Sequence, residues 1–122
     1  MMNVLLVDDN KAMRSMLRQT LLRTGVGGLK VDEAENGSDA LAKLASVEPD
    51  LILSDWSMPE MNGVELLREL RARGSEIKFG FVTPHQASEQ MRETAFQEGA
   101  HFMIARPFNV NAFREILSGV RR

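Results

Sequence analysis

The feature that most constrains this chain is a fivefold alternation of short apolar runs with longer amphipathic stretches. The runs are Val4–Val7, Leu29–Ala34, Leu51–Ser54, Lys78–Val82 and Phe102–Ala105. Short continuous apolar runs are typical of parallel strands that are covered on both faces. The stretches between them predict helices at Lys11–Thr24, Ser38–Ala45, Gly63–Arg73, Ser88–Glu98 and Asn111–Val120. Strands and helices alternating in this way predict an α/β fold with a parallel sheet between two helical layers.

Composition narrows the class of protein. The 122 residues predict a single domain over positions 1–122, and 43% hydrophobic with 26% charged residues is an ordinary globular mixture. A net charge of −2 speaks against a nucleic-acid partner. The apolar runs are far shorter than the ~20 residues of a membrane span. The absence of cysteine excludes disulfides and thiolate zinc sites. We therefore expect a cytoplasmic domain that binds neither nucleic acid nor membrane.

Polar and charged residues follow four of the five predicted strands. Asp8 and Asp9 follow the first, Asp55 the third, Thr83 the fourth and Arg106 the fifth. Ligand sites in parallel sheets lie beyond the carboxyl ends of the strands, so these side chains are candidates for one site. Three neighbouring carboxylates repel each other unless a cation compensates them, and Mg²⁺ prefers such oxygen ligands. A hydroxyl and a guanidinium are groups that bind phosphate, which indicates a metal, a phosphoryl group and an aspartate able to attack it.

Each of these residues also has a simpler interpretation when taken alone. Asp8 and Asp9 could cap the first helix, and Asp55 could cap a turn. Thr83 could be a hydrogen-bonded hydroxyl at a strand end, and Arg106 a surface ion-pair residue. Their joint position after strands of one sheet favours the shared site.

The sequence resembles the receiver domain of two-component response regulators, and within that family the single-domain regulators of chemotaxis. The resemblance covers essentially the whole chain. It is carried by Leu5–Asp9, Ala34–Gly37, Leu53–Gly63, Val82–Thr83 and Arg106–Phe108. It implies a flavodoxin-like (βα)5 doubly wound sandwich whose five-stranded parallel sheet has the order 2-1-3-4-5.

The resemblance also implies a phosphoacceptor and a metal site. Asp55 would accept a phosphoryl group from the phosphohistidine of a sensor histidine kinase or a phosphotransfer protein. Asp9 and Asp55 would ligate Mg²⁺ together with the backbone carbonyl of Ser57, and Asp8 would hold the ion through water. Such a protein is a switch with self-phosphotransfer and autodephosphorylation only, and not a metabolic enzyme.

The remaining implied roles concern the phosphoryl group and the output. Thr83 would donate a hydrogen bond to the phosphoryl group, the cation after the fifth strand would pair with it, and the peptide before Pro107 is often cis in this family. A downstream target protein would dock on the face formed by the fourth helix, fifth strand and fifth helix. The domain would act as a monomer or weak dimer.

Three positions depart from the family pattern. Arg106 replaces the usual lysine, and arginine is bulkier and planar. Pro84 has no backbone N–H to donate to a phosphoryl group. Met103 replaces an aromatic residue on the fifth strand. These departures keep open a degenerate receiver that acts as a protein-interaction module without phosphorylation.

Two other functions fit the sequence less well. A phosphatase of the aspartyl-phosphate type would need its nucleophile after the first strand, whereas Asp55 follows the third. A flavin-binding flavodoxin would need a phosphate-cradling loop after the first strand, but the loop Asp8–Lys11 is acidic and lacks glycine.

Overall fold

The computed structural model describes residues 2–83 and 86–120, and within these ranges it contains five strands and five helices in strict alternation. The strands are parallel and lie in the order β2-β1-β3-β4-β5, which confirms the predicted doubly wound, flavodoxin-like (βα)5 fold. The elements are β1 Met2–Val7, α1 Lys11–Leu22, β2 Leu29–Ala34, α2 Gly37–Lys43, β3 Leu51–Asp55, α3 Gly63–Ala72, β4 Lys78–Thr83, α4 Glu89–Gln97, β5 Phe102–Ala105 and α5 Val110–Val120.

The register of the sheet brings the strand ends that matter to one edge. Val7 pairs with Ala34 of β2 on one side and with Ser54 of β3 on the other. The residues that follow Val7 therefore leave β1 beside Asp55, the last residue of β3. Topology alone thus brings the acidic residues of two strands to one end of the sheet.

Side chains of β1 alternate between two cores, one on each face of the sheet. Leu5 and Val7 belong to a cluster with residues of α2, α3 and α4, whereas Val4 and Leu6 belong to a cluster with residues of α1 and α5. All four are fully buried. Burial on both faces explains why the strand runs are continuously apolar and do not alternate with polar residues.

Each of the five helices in the described ranges begins at a side-chain cap. The side-chain oxygens of Asn10, Asn36, Asn62, Ser88 and Asn109 each accept a hydrogen bond from a backbone N–H in the first turn of the following helix. Asn10 caps α1 by accepting from the N–H of Met13 at 3.0 Å. The alternative that Asp8 and Asp9 cap this helix is therefore wrong, and their carboxylates do not serve that purpose.

The α4 helix is the most weakly packed of the helices within the described ranges. Among its residues only Ala95 is buried, and Phe96 is 43% exposed. Its carboxyl end is tied to α3, because Arg68 pairs with Glu98 at 3.0 Å and Arg71 donates to the carbonyl of Gly99 at 2.8 Å. The α4 helix therefore buries little apolar surface against the sheet.

The β5 strand directs its two first side chains to opposite faces, as the strand period predicts. Phe102 packs on the α1 and α5 side, whereas Met103 packs on the side of α2, α3 and α4.

No helix in the part of the chain that the structure describes is both long enough and apolar enough to cross a membrane.

Gly63 at the start of α3 provides a stability test, since it sits directly against the acidic edge of the sheet. A Cβ atom there would lie 2.2 Å from the carbonyl oxygen of Asp55 and 2.7 Å from the Phe81 ring. We expect Gly63→Ala to lower the free energy of unfolding by about 1–3 kcal/mol, measured by urea denaturation.

The matched control is Gly119→Ala in α5, where an added Cβ meets nothing within 4 Å. There the helix propensity of alanine should raise the free energy of unfolding by up to about 1 kcal/mol. Equal effects of the two substitutions would contradict the close approach at Gly63.

Candidate functional site

Three aspartates meet at the carboxyl edge of the sheet. One carboxylate oxygen from each of Asp8, Asp9 and Asp55 lies within 4.8 Å of the other two. Asp8 is 3% exposed, Asp55 is half-buried and Asp9 is exposed. The cluster is thus graded from the protein interior to the solvent, and it is open on the side of Asp9.

Backbone groups hold the two buried carboxylates in place. The N–H of Asp8 donates to the carbonyl of Ala34 at 3.1 Å, and its Oδ1 accepts from the N–H of Asn10 at 2.8 Å. Oδ1 of Asp55 accepts from the N–H of Trp56 at 2.7 Å. Each carboxylate is therefore oriented by the loop that follows its own strand.

Burial and neighbouring negative charges make the carboxyl group of Asp8 harder to ionise. Burial is the largest cause that raises the pKa of Asp8 to about 6, and the negative charges of Asp55 and Asp9 raise it further. The Asn10 N–H and the Arg14 guanidinium act in the opposite direction without cancelling the rise. The protein groups around Asp8 therefore do not fully compensate the charge of its carboxylate.

Asp55 has the same character. Burial is the main cause that raises its pKa, and the charge of Asp9 adds to it. The backbone N–H groups of Trp56 and Ser57 both bind the Asp55 carboxylate and partly offset the rise. Ser57 thus contacts Asp55 through its N–H, whereas its carbonyl as a metal ligand stays a prediction.

The donor set fits a hard cation. The three carboxylates supply only oxygen ligands, and none of them takes part in an ion pair within residues 2–83 and 86–120. Anionic oxygens that are close together, partly buried and unpaired are the ligands that Mg²⁺ or Ca²⁺ uses in proteins. The cluster can therefore hold a metal ion.

Thr83 lies at the same edge, at the end of β4. Its side chain is buried, and its hydroxyl donates to the carbonyl of Ile104 at 3.4 Å. The carbonyl of Thr83 in turn accepts from the N–H of Arg106 at 3.3 Å. The predicted role of Thr83 toward a phosphoryl group is untested by this geometry and stays a prediction.

The Arg106 side chain does not join the acidic cluster in this structure. It is exposed, and in the described part of the chain it forms no ion pair. The Arg106–Pro107 peptide is cis, as the resemblance implied. A surface depression beside α1 is lined by Met16, Thr20, Arg23, Arg106, Pro107 and Phe108. The pairing of Arg106 with a phosphoryl group stays a prediction.

The other two departures from the family pattern are Pro84 and Met103. Pro84 lies outside the described residues. Met103 is partly buried against the core that contains Phe81, and Phe81 contacts the Trp56 ring at 4.8 Å between centroids. A flexible thioether therefore occupies the β5 position next to the aromatic pair that flanks Asp55.

Sequence reasoning missed Arg14, which connects α1 to the acidic edge. Its guanidinium is buried and donates to the backbone carbonyl of Asp8 at 2.5 Å. The available signal was spacing, since Arg14, Leu17 and Leu21 stand at i, i+3 and i+7 on the buried stripe of α1. An arginine on such a stripe needs buried partners, and here the partner is the loop that carries the aspartates.

The sequence matches the family model of the response regulator receiver domain over residues 4–118. The chain belongs to this family. Asp8, Asp9 and Asp55 are thus the acidic cluster of a receiver domain, and magnesium and phosphorylation are typical of such domains.

Known proteins place the chain among CheY-like receivers. It is 36% identical to the chemotaxis protein CheY1 of Helicobacter pylori strain J99, with 98% of this chain and 96% of that protein aligned. It is 32% identical to the response regulator MprA of Mycobacterium avium over 98% of this chain, which spans 50% of MprA. The receiver domain is therefore that of a CheY-like response regulator, consistent with two-component signalling.

Solved structures agree on the fold. The chemotaxis protein CheY4 of Vibrio cholerae superposes with a TM-score of 0.85 at 30% identity, with 98% of both chains aligned. A two-component response regulator of Clostridium difficile gives a TM-score of 0.87 at 20% identity, which supports the fold alone. Receiver domains of response regulators interact with kinases and downstream targets, and this receiver is expected to have partners of both kinds.

The raised pKa of Asp8 predicts how the free energy of unfolding, measured in chelator, depends on pH. Because the folded pKa of about 6 exceeds the ordinary aspartate value of 3.8, ionising Asp8 destabilises the fold as pH rises through this interval. We expect Asp8→Asn in chelator to be more stable than wild type at about pH 8, by roughly 1–3 kcal/mol, with no gain at about pH 4. Urea denaturation at both pH values measures this.

Asp39→Asn is the control of opposite sign. Its pKa is lowered, chiefly by the backbone N–H of Glu35, so the ionised carboxylate stabilises the fold above its unfolded pKa. Asp39→Asn should therefore be less stable than wild type at neutral pH, and this loss should shrink as the solution is acidified. An Asp8→Asn variant that is less stable than wild type at about pH 8 would contradict the electrostatic account.

Proposed function

We propose that this receiver accepts a phosphoryl group on Asp55 from the phosphohistidine of a sensor histidine kinase or a phosphotransfer protein, with Mg²⁺ as cofactor. The observation that carries the proposal is the convergence of Asp8, Asp9 and Asp55 within 4.8 Å of one another. A cluster of uncompensated carboxylates can bind a cation and then a phosphoryl group, because the cation removes the repulsion between the two anions.

Asp9, Asp55 and the carbonyl of Ser57 would hold the ion, and Asp8 would hold it through water. The bound ion would supply charge neutralisation for the incoming phosphoryl group. Asp55 is suited to act as acceptor because its carboxylate is oriented by the Trp56 and Ser57 N–H groups at the end of a rigid strand. Phosphoryl transfer depends mainly on positioning, which the backbone of this loop supports, and on neutralisation, which a bound cation would supply.

The transfer forms one bond and breaks one bond. A carboxylate oxygen of Asp55 attacks the phosphorus atom, the phosphorus–nitrogen bond of the donor breaks, and the imidazole leaves with the electron pair. The product is an acyl phosphate, and attack of water on its phosphorus returns the carboxylate and releases inorganic phosphate. The domain then works as a self-resetting switch, not as a metabolic enzyme.

Thr83 and Arg106 would bind the phosphoryl oxygens. The Thr83 hydroxyl is buried at the end of β4, next to the strand that carries Asp55. Arg106 follows β5, and its exposed side chain would have to rotate from the α1 side to reach the phosphoryl group. A guanidinium can bind phosphate in a bidentate manner, which supports this role.

The output surface we propose is the face formed by α4, β5 and α5. Thr83 bonds to the carbonyl of Ile104 on β5, so a shift of its hydroxyl toward a phosphoryl group would be felt on that strand. The weak packing of α4 leaves this helix able to respond. The downstream target is a protein, and we propose neither nucleic acid nor membrane as a partner.

The proposed state is a single domain over residues 1–122 in the cytoplasm, as a monomer or weak dimer. The family model spans residues 4–118, and both cores are built on one sheet, which supports a single folding unit. Gel filtration with light scattering measures the oligomeric state.

Phosphorylation is tested with acetyl phosphate or phosphoramidate and Mg²⁺, followed by intact-protein mass spectrometry. Wild type should gain about 80 Da, and this gain should be absent in chelator and in Asp55→Asn. The Asp39→Asn variant, which changes a carboxylate outside the cluster, serves as a control and should label like wild type. An adduct that persists in Asp55→Asn would reject Asp55 as the acceptor.

The second candidate is a degenerate receiver that binds its partner without phosphorylation. The outward position of the Arg106 side chain favours this alternative, together with Met103 in place of an aromatic residue. Labelling of wild type beside Arg106→Lys and Pro84→Ala separates the two candidates. Faster or more complete labelling of the variants means that the departures tune a working site, whereas no labelling in any of the three supports the degenerate receiver.

A further inference from the structure

A partly buried ion-pair network lies beside the acidic cluster, between α1 and the end of β2. Arg14 donates from Nε to Glu33 at 2.8 Å, and Arg18 donates to the same carboxylate at 2.9 and 2.6 Å. Lys43 donates to the backbone carbonyl of Glu33. Hydrogen bonds therefore hold both the side chain and the backbone of Glu33, and its carboxylate is a fixed partner for the Arg14 guanidinium.

Arg14 is the member of this network that reaches the site. Its Nη1 donates to the carbonyl of Asp8 at 2.5 Å while its Nε remains on Glu33, so one planar guanidinium bridges β2 and the loop after β1. The side chain of Arg14 is only 11% exposed, whereas that of Arg18 is 38% exposed. Arg18 bonds Glu33 and the carbonyl of Val31, and it makes no hydrogen bond to the loop of Asp8.

The contact at the Asp8 carbonyl controls where Asp9 lies. The carbonyl of Asp8 and the N–H of Asp9 belong to the same planar peptide, so fixing one fixes the orientation of the other. The other side of Asp8 is fixed by its N–H bond to Ala34, and its carboxylate by the N–H of Asn10. Arg14 supplies the remaining constraint on this peptide.

We propose that Arg14, supported by Glu33, is a positioning residue for the metal site: it fixes the Asp8–Asp9 peptide so that both carboxylates point at one cation. This inference rests on the proposed function, since it assigns a supporting residue to that same site. Partners behind the ligands commonly change metal affinity by about 10–100-fold when removed, because they orient the ligands.

A purely electrostatic role for Arg14 and a positioning role predict opposite changes in Mg²⁺ affinity when the guanidinium is removed. Removing a cation close to a metal site relieves repulsion and should tighten Mg²⁺ binding. Removing a positioning group should weaken Mg²⁺ binding although a positive charge has been lost. The direction of the change therefore separates the two roles without reference to its size.

The experiment is a Mg²⁺ titration of the metal-free chain, followed by Trp56 fluorescence and by calorimetry, with circular dichroism to verify folding. Arg14→Met keeps the apolar stem and removes the guanidinium, and we expect its Kd for Mg²⁺ to rise by about 10-fold or more. Arg18→Met removes a cation from the same Glu33 without touching the loop, and its Kd should stay within about twofold of wild type. Arg14→Lys keeps the charge but not the bridging fork, and it should also bind more weakly than wild type.

Three results would overturn the proposal. One is a folded Arg14→Met variant that binds Mg²⁺ as tightly as wild type or more tightly, and another is an equal loss in Arg18→Met. If Arg14→Met does not fold, the proposal is tested with Arg14→Lys. Wild-type affinity for Mg²⁺ in Arg14→Lys is then the third result that would overturn it. Absence of Mg²⁺ binding by wild type itself would reject the proposed function together with this inference, so the two failures are distinguishable.

Discussion

The repulsion among three carboxylates at one edge of the sheet is the constraint on which the rest of this structure depends. Asp8 and Asp55 are buried far enough that their pKa values rise, and each is nevertheless held by backbone N–H groups of its own loop. A fold retains such an arrangement at a cost in stability, since filling the same space with apolar side chains would avoid it. The cost is understandable where the carboxylates serve a cation.

The fold provides this arrangement through topology and not through local structure. Parallel pairing of β1 with both β2 and β3 places Asp8 next to Asp55 although they are distant in sequence. The helix caps are supplied by asparagine and serine, which leaves the carboxylates of the strand ends available. Gly63 allows α3 to begin directly against the carbonyl of Asp55. Rigidity at this edge thus comes from the backbone.

The surroundings of the site are less uniform than its centre. On one side, Arg14 and Glu33 connect the loop of Asp8 to a partly buried network. On the other side, Arg106 lines a depression beside α1, Met103 replaces an aromatic ring, and α4 buries a single residue. The receiver therefore combines a well-supported acidic cluster with a weakly packed α4 helix. Coupling between the acidic cluster and this side would pass through Thr83, because its hydroxyl at the end of β4 donates to the carbonyl of Ile104 on β5.

The sequence by itself determined the strands, the helices and the three aspartates, because apolar periodicity and strand-end position are local properties that a pattern records. Helix ends were right to within a few residues. The sequence left open whether the aspartates cap α1, because neighbouring polar side chains can compete for the same N–H groups, and the structure shows that Asn10 is the cap. Only the tertiary structure decided the direction of the Arg106 side chain and the contact of Arg14 with the Asp8 carbonyl. Both depend on which of several partners a long cation meets in space, and that choice is made by packing between distant elements and not by residue spacing.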